Sequence, residues 1–83
     1  MNDGSERIEV EILGEVYRLR TDDRDSLNKS VKKVDETMKE IQKNTRSFAG
    51  SRVAVLAALK IAEELFQLKK DYDELLELLD ENK

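Results

Sequence analysis

The sequence contains no cysteine, histidine, proline or tryptophan, and aromatic residues make up only 5% of its 83 positions. Without cysteine, neither a disulfide nor a thiolate metal site can stabilise the fold. Without histidine, the chain lacks the usual nitrogen ligand for metals and the usual general base near neutral pH. The absence of proline suits helices that run without a break. We therefore expect no enzyme activity, no metal and no cofactor.

The charges of the chain are numerous and segregated. Charged residues make up 41% of the sequence, as is typical of solvated helices and coiled coils. Residues 15–52 carry ten bases and seven acids, whereas residues 63–83 carry three bases and eight acids. A nucleic-acid-binding domain would present a dense basic face instead.

No apolar run approaches the roughly 18 residues that span a bilayer, and no signal-peptide pattern opens the chain. We expect a cytoplasmic protein that binds neither nucleic acid nor membrane.

The first element predicted by the sequence is a β-hairpin. Residues 8–12 alternate apolar and acidic side chains, which predicts a strand with one buried face. Leu13 and Gly14 then form the centre of a tight turn, in which glycine supplies a positive φ. This register places Glu9 opposite Arg18, a favourable cross-strand pair of opposite charges. On the other face the predicted apolar pairs are Val10 with Tyr17 and Ile8 with Leu19.

Two helices are predicted to follow the hairpin. Residues 21–25 combine capping side chains with acids, which favours a helix start. An apolar stripe at spacings of three and four then predicts an amphipathic helix ending near Lys43, with members Leu27, Val31, Val34, Met38 and Ile41. After a connecting loop, Ser51 is predicted to be the N-cap of a second helix that reaches about residue 81.

The second helix has two halves with different surfaces. Residues 53–62 are apolar at every position except Lys60, and a helix that is apolar all round must be buried all round. The rest of the chain is too small to cover it, so a second copy is the expected cover. Residues 63–83 continue with a heptad stripe among acids, whereas a helix lying on a membrane would carry Lys and Arg on its polar face. The predicted oligomer interface comprises Val53, Leu56, Ala57, Leu59, Ile61, Leu65, Leu68, Tyr72, Leu75 and Leu79.

These elements predict an α+β fold and an obligate dimer. An N-terminal β-hairpin and a short amphipathic helix form a small head, residues 1–50. A long C-terminal coiled-coil helix, residues 51–83, has a buried N-terminal half, residues 51–62, and a coiled-coil tail, residues 63–83. The basic side chains expected on the outer surface of the head are Arg18, Arg20, Lys32, Lys33, Lys39 and Lys43. They are either solvated surface or a binding site for an acidic partner.

The segment that carries a family resemblance is residues 52–65, Arg-Val-Ala-Val-Leu-Ala-Ala-Leu-Lys-Ile-Ala-Glu-Glu-Leu. It resembles the start of the long helix in the ZapA family of bacterial cell-division proteins, here a short form. Further similarities follow in the same order along the chain: Ile12-Leu13-Gly14, Tyr17-Arg18-Leu19, residues 34–41, and Thr45-Arg46. The resemblance covers residues 7–80, nearly the whole sequence.

The resemblance implies a cytoplasmic homodimer that binds the tubulin-like GTPase FtsZ and promotes lateral association of its filaments at the mid-cell division site. It also implies a head followed by a coiled coil, with dimers pairing into a dimer of dimers in longer members. Contacts with FtsZ would involve Arg18 and Arg46, with Glu15 and Ser51 at neighbouring positions of the head. From the residues alone, a structural coiled-coil dimerisation subunit of another cytosolic complex is the alternative.

Overall fold

A computed structural model describes residues 4–44 and 49–81, with residue 81 described in its backbone only. The elements along the chain are β1 (Glu6–Ile12), β2 (Glu15–Thr21), α1 (Arg24–Asn44) and α2 (Gly50–Glu81). The two strands form an antiparallel hairpin, and both helices follow it. The predicted α+β class and the order of the elements are confirmed.

The hairpin has the predicted register. Leu13 and Gly14 form the two-residue turn, with φ of 51° and 81° respectively. Positive φ at both central positions is the geometry of a type I′ turn, whose twist matches that of the strands it joins. Glu9 lies opposite Arg18, and the apolar pairs Val10 with Tyr17 and Ile8 with Leu19 are also present. The alternation of residues 8–12 therefore identified the face of β1 that packs on the rest of the chain.

Helix α1 begins with a polar cap supplied by the acidic segment before it. The Asp23 carboxylate accepts a hydrogen bond from the Ser26 backbone N–H at 3.0 Å. The Asp23 carbonyl accepts from the Leu27 N–H at 3.1 Å, and the Thr21 hydroxyl oxygen accepts from the Asp23 N–H at 2.9 Å. Satisfying the first free N–H groups in this way is worth about 1 kcal/mol per cap. The predicted helix start is confirmed.

The core of the chain lies where α1 crosses the beginning of α2. Met38 of α1 packs against Val53 and Ala57 of α2, which are 8%, 0% and 1% exposed. Partly buried apolar side chains from the turn and from α1 surround this contact: Ile12, Leu13, Val34 and Ile41. The chain itself therefore covers one side of the apolar ring at residues 53–62, where a second copy was the expected cover. Cover of the other sides by a second copy stays a prediction.

Helix α2 begins at Gly50, and its N-cap lies two residues earlier than predicted. The Val53 N–H donates to the Ala49 carbonyl at 3.0 Å, which is the first hydrogen bond of the helix. The residue whose carbonyl accepts that bond is the N-cap, so Ala49 has this role. The prediction of Ser51 as the N-cap was wrong, because Ser51 already lies in the first turn of α2.

Candidate protein-interaction surfaces

A cleft of about 900 Å³ separates the hairpin turn from the two helices. Its walls include Gly14 and Glu15 from the turn, Lys39 from α1 and Ser51 from α2. The Tyr17 hydroxyl donates a hydrogen bond to the Glu15 carboxylate at 2.8 Å, and this bond together with the negative charge raises the pKa of the Tyr17 hydroxyl. The cleft therefore has the Glu15 carboxylate on one wall and the Lys39 ammonium on another.

One carboxylate joins the hairpin turn to α1. The Leu13 backbone N–H, which has no partner in the strand ladder, donates to Asp35 Oδ1 at 2.8 Å. Lys39 Nζ lies 2.8 Å from the other oxygen, Asp35 Oδ2. The Lys39 ammonium and the Leu13 N–H both lower the pKa of the Asp35 carboxyl, and Asp35 raises the pKa of Lys39. Asp35 thus orients the turn that forms one wall of the cleft.

Two ion pairs join α1 to α2 beside the core. Lys33 Nζ lies 2.8 Å from Glu64 Oε1, and Lys60 Nζ lies 3.3 Å from Glu40 Oε1. The Glu64 carboxylate raises the pKa of Lys33, and the Lys33 ammonium lowers the pKa of Glu64. Lys33 therefore faces α2, and the expectation that it lies on the outer surface of the head was wrong. The reason is that α2 runs beside α1 as far as Glu64, which brings the Glu64 carboxylate to Lys33.

The face of the hairpin that points away from α1 carries three arginines. Arg18 Nε lies 3.1 Å from Glu9 Oε1, in a pair whose side chains are 82% and 63% exposed. Arg7 lies directly opposite Arg20 in the register. Neither Arg7 nor Arg20 makes an ion pair within residues 4–44 and 49–81. A small surface groove of about 240 Å³ runs between the three guanidinium-bearing side chains.

The far part of α2 leaves a set of large apolar side chains in solvent. From residue 65 to residue 80 every side chain is exposed. Leu65, Leu68 and Tyr72 are 61%, 67% and 60% exposed, at helical spacings of three and four. The exposed apolar set over this stretch comprises Leu65, Phe66, Leu68, Tyr72, Leu75, Leu76, Leu78 and Leu79. We call this set the tail stripe; a large set of exposed apolar side chains of this kind marks a candidate interaction site.

The predicted oligomer interface falls into two groups. Val53 and Ala57 lie in the core of the chain, at 0% and 1% exposure, and so have almost no surface for a partner. Leu56 and Ile61 are half-buried. The exposed remainder comprises Leu59, Leu65, Leu68, Tyr72, Leu75 and Leu79. For these eight half-buried or exposed residues, a role in the interface stays a prediction.

The four residues predicted to contact a partner lie in different places. Glu15 and Ser51 line the same cleft, whereas Arg18 lies on the outer face of the hairpin. Arg46 lies outside the described residues. The structure therefore brings Glu15 and Ser51 together and separates Arg18 from them, and the contact role of all four stays a prediction.

The described residues offer no metal centre. No three His, Cys, Asp or Glu side chains in residues 4–44 and 49–81 are grouped closely enough to hold a metal ion. In the same ranges, neither helix combines the length and the apolar character needed to cross a membrane. What the described residues do offer is two kinds of candidate surface: charged surfaces on the head and the tail stripe.

Comparison with known proteins identifies the family. The family described as "Cell division protein ZapA" matches residues 8–82, nearly the entire length. The chain belongs to the ZapA family of cell division proteins. Several relatives carry that same name. The ZapA of Geobacillus sp. (strain WCH70) is 32% identical over 78 residues, covering 93% of this chain and 90% of the relative.

The ZapA proteins of Bacillus thuringiensis (strain Al Hakam) and Bacillus anthracis are each 35% identical over 72 residues, covering 86% of this chain and 81% of the relative. No solved structure matches the chain significantly. Membership of the ZapA family, predicted from residues 52–65 and the similarities around them, is therefore confirmed.

Sequence reasoning missed two side chains that position the candidate surfaces. Asp35 was recognisable only as a helical partner of Lys39, because its bond to Leu13 joins residues far apart in the chain. Thr37 is buried at 4% exposure, and its hydroxyl donates to the Lys33 carbonyl at 2.7 Å. A signal for Thr37 was present, since it lies three residues after Val34 on the apolar stripe. Its polar side chain is tolerated there because its own helix satisfies the hydroxyl.

Proposed function

We propose that this chain is a cytoplasmic accessory protein that binds FtsZ and promotes lateral association of FtsZ filaments at the mid-cell division site. Family membership supports the assignment to cell division, because residues 8–82 match the ZapA family and the relatives share its name. The partner is the one that the family resemblance implies. In this proposal the protein is not an enzyme, needs no cofactor, and binds neither nucleic acid nor membrane.

The observation that carries the self-association in this proposal is the tail stripe. Leu65, Leu68 and Leu75 are more than half exposed on a helix that no other element of the chain covers there. Covering a side chain of this size stabilises an assembly by about 1.5–3 kcal/mol. The smallest dimension of the fold is only 14 Å, and residues 4–44 and 49–81 supply no further layer to cover the stripe. A second copy of α2 is the simplest cover, since equal heptad stripes pack against each other.

The mechanism that follows is cross-linking by a symmetric oligomer. One head binds one FtsZ filament, and the symmetry of the homodimer presents a second head to a neighbouring filament. Joining two binding surfaces in one assembly raises overall avidity without any new contact. Pairing of dimers into a dimer of dimers would add heads in the same way, through whatever part of the tail stripe the dimer leaves uncovered.

The residues proposed to contact FtsZ are three charged residues of the head, Arg18, Arg46 and Glu15, and Ser51 in the first turn of α2 beside them. Arg18 is exposed although it is paired with Glu9, and Glu15 and Ser51 share the cleft. The acidic tail, by contrast, is the part that an acidic partner would avoid. This asymmetry supports binding through the head and assembly through the tail.

A second candidate function is that of a structural coiled-coil subunit of another cytosolic complex. The tail stripe favours it equally, because self-association through α2 does not depend on what the head binds. The two candidates differ only in the role of the head.

Sedimentation of the purified protein with FtsZ separates the two candidates. The protein should pellet with FtsZ when GTP drives filament formation and stay in the supernatant without GTP. Arg46→Glu should weaken the co-sedimentation and leave oligomer size unchanged, because Arg46 is not among the residues proposed for the oligomer interface. Lys69→Glu, in the tail, is the matched control and should pellet like the wild type. Absence of the wild-type protein from the filament pellet would favour the structural subunit.

A further inference from the structure

We propose that Arg7 and Arg20, which face each other across the hairpin, form a clamp for carboxylates of an acidic segment in the filament protein. This inference rests on the proposed function only for the identity of that partner. It adds Arg7, which the sequence did not single out, pairs it with Arg20, which was one of several basic candidates, and assigns a chemical class of ligand to the two.

The first observation is a pair of like charges where a stable hairpin would avoid one. Arg7 and Arg20 are direct partners in the register, and like charges directly opposite each other on a strand pair are destabilising. The neighbouring pair on the same face, Glu9 with Arg18, has the favourable opposite arrangement and closes an ion pair at 3.1 Å. The hairpin thus pairs Arg18 with a carboxylate and leaves Arg7 and Arg20 opposite each other, where their positive charges repel. An anion held between them would remove that repulsion.

The second observation is that the two guanidinium groups are free to bind. Arg7 and Arg20 make no ion pair with any described residue. Both side chains are exposed and line one groove of about 240 Å³, together with Arg18. They alternate along their strands with Ile8 and Leu19 of the opposite face, the face that packs towards α1. Arg7 and Arg20 therefore lie on the face of the hairpin that points away from α1, beside a groove that Leu19 also lines.

The third observation concerns the kind of anion. Each guanidinium presents a planar fork of donors that fits a carboxylate or a phosphate with two parallel hydrogen bonds. Glu9 and Glu11 lie on the same face as Arg7 and Arg20 and nearer to the turn than those two arginines. A nucleic acid or a membrane would bring a continuous row of phosphates against these two carboxylates and against the acidic tail. A protein segment can place a few carboxylates at Arg7 and Arg20 alone, which is the arrangement the surface favours.

The test uses the full chain and three variants. Arg7→Gln with Arg20→Gln removes the clamp. Lys29→Gln with Lys69→Gln removes the same amount of charge from two exposed lysines that make no ion pair among the described residues. Arg7→Lys with Arg20→Lys keeps the charge but loses the planar forks. Each protein is measured by co-sedimentation with FtsZ and by anisotropy of a fluorescent octaglutamate peptide, and its melting temperature is recorded.

We expect the double Gln variant to bind FtsZ and octaglutamate about tenfold more weakly, with the lysine control within about twofold of the wild type. The double Lys variant should stay weaker than the wild type. The melting temperature of the double Gln variant should equal or exceed that of the wild type, because a repulsive pair has been removed. A lower melting temperature, or equal losses in the lysine control, would overturn the clamp.

The failures of the two proposals are distinguishable. If FtsZ binds the wild type and the double Gln variant equally, the clamp is refuted and the proposed function stands. If FtsZ does not bind but octaglutamate binds through Arg7 and Arg20, the clamp stands and the proposed function is refuted. If phosphatidylserine vesicles bind in an Arg7- and Arg20-dependent manner and octaglutamate does not, the ligand is a lipid surface and the clamp for acidic protein segments is refuted.

Discussion

Asp35 accepts a hydrogen bond at 2.8 Å from the backbone N–H of Leu13, so a side chain in the middle of α1 holds the turn of the hairpin. Leu13 has a φ of 51°, a left-handed conformation that side-chain-bearing residues rarely adopt. Its N–H cannot pair within a two-residue turn. Asp35 satisfies this donor and so compensates for part of the strain at Leu13.

Replacing Asp35 with Ala should therefore loosen the turn and lower the melting temperature. Asp35→Asn is the matched variant, since its amide oxygen can still accept from Leu13 while the charge that pairs with Lys39 is gone. We expect the Asn variant to lie between the wild type and the Ala variant in thermal unfolding. Amide hydrogen exchange at Leu13 should accelerate in the Ala variant; unchanged exchange there would show that Asp35 does not hold the turn.

Acid should destabilise the fold through the carboxyls whose pKa is lowered. The Lys33 ammonium lowers the pKa of Glu64, and Lys39 with the Leu13 N–H lowers that of Asp35. The stabilisation from each carboxylate is complete above its ordinary pKa, 4.5 for Glu64 and 3.8 for Asp35, and is lost as pH falls through the lower folded value.

Thermal unfolding between pH 7 and pH 2 checks the contribution of Glu64. The melting temperature should stay level down to about pH 5 and then fall. Glu64→Gln should have a shallower acid limb than the wild type, whereas Glu77→Gln, in the exposed tail, should follow the wild type. Parallel acid limbs for the wild type and Glu64→Gln would mean that the contact between Lys33 and Glu64 is not formed in solution.

The sequence predicted the hairpin in full because its determinants are local. A two-residue turn at Leu13 and Gly14, joined to strict alternation in residues 8–12, permits only one register. The polar start of α1 and the apolar stripe along it are equally local. Family membership was also predictable, because residues 52–65 and the similarities around them are short segments in a fixed order.

The docking of α1 on α2 could not be predicted in the same way. Residues 53–62 are apolar on nearly every side, so their pattern does not indicate which side α1 covers. For this reason Val53 and Ala57 were expected in an oligomer interface, although α1 buries them within the chain. The contact of Lys33 with Glu64 and that of Asp35 with Leu13 both depend on this docking, and neither follows from periodicity.

The proposed dimer predicts that charges at the half-buried apolar positions of α2 are not tolerated. Ile61→Glu should cost about 1.5–3 kcal/mol per chain and unfold the protein or break its assembly. Leu56→Lys should likewise unfold the protein or break its assembly. Glu63→Lys, at an exposed position beside Ile61, is the control and should assemble normally. Light scattering with circular dichroism checks the result, and a well-folded monomer of Ile61→Glu would contradict an obligate oligomer.

The tail stripe is predicted to contribute to the dimer without being needed for cross-linking. Deleting residues 70–83 removes Tyr72, Leu75 and Leu79 but keeps the head, Ile61 and Leu65. The truncated protein should still dimerise through the remaining part of α2 and should still bundle FtsZ filaments, because one dimer carries two heads. Sedimentation equilibrium and electron microscopy check both points. Truncated dimers that decorate single filaments without bundling them would make the dimer of dimers the working unit.

Electron microscopy of FtsZ filaments formed with GTP tests the central claim most directly. With the full chain added at a concentration equal to that of FtsZ, we predict filaments lying side by side in bundles. A parallel sample with Arg46→Glu should show fewer bundles at the same protein concentration. Filaments that remain single in the presence of the folded wild-type protein would contradict the account.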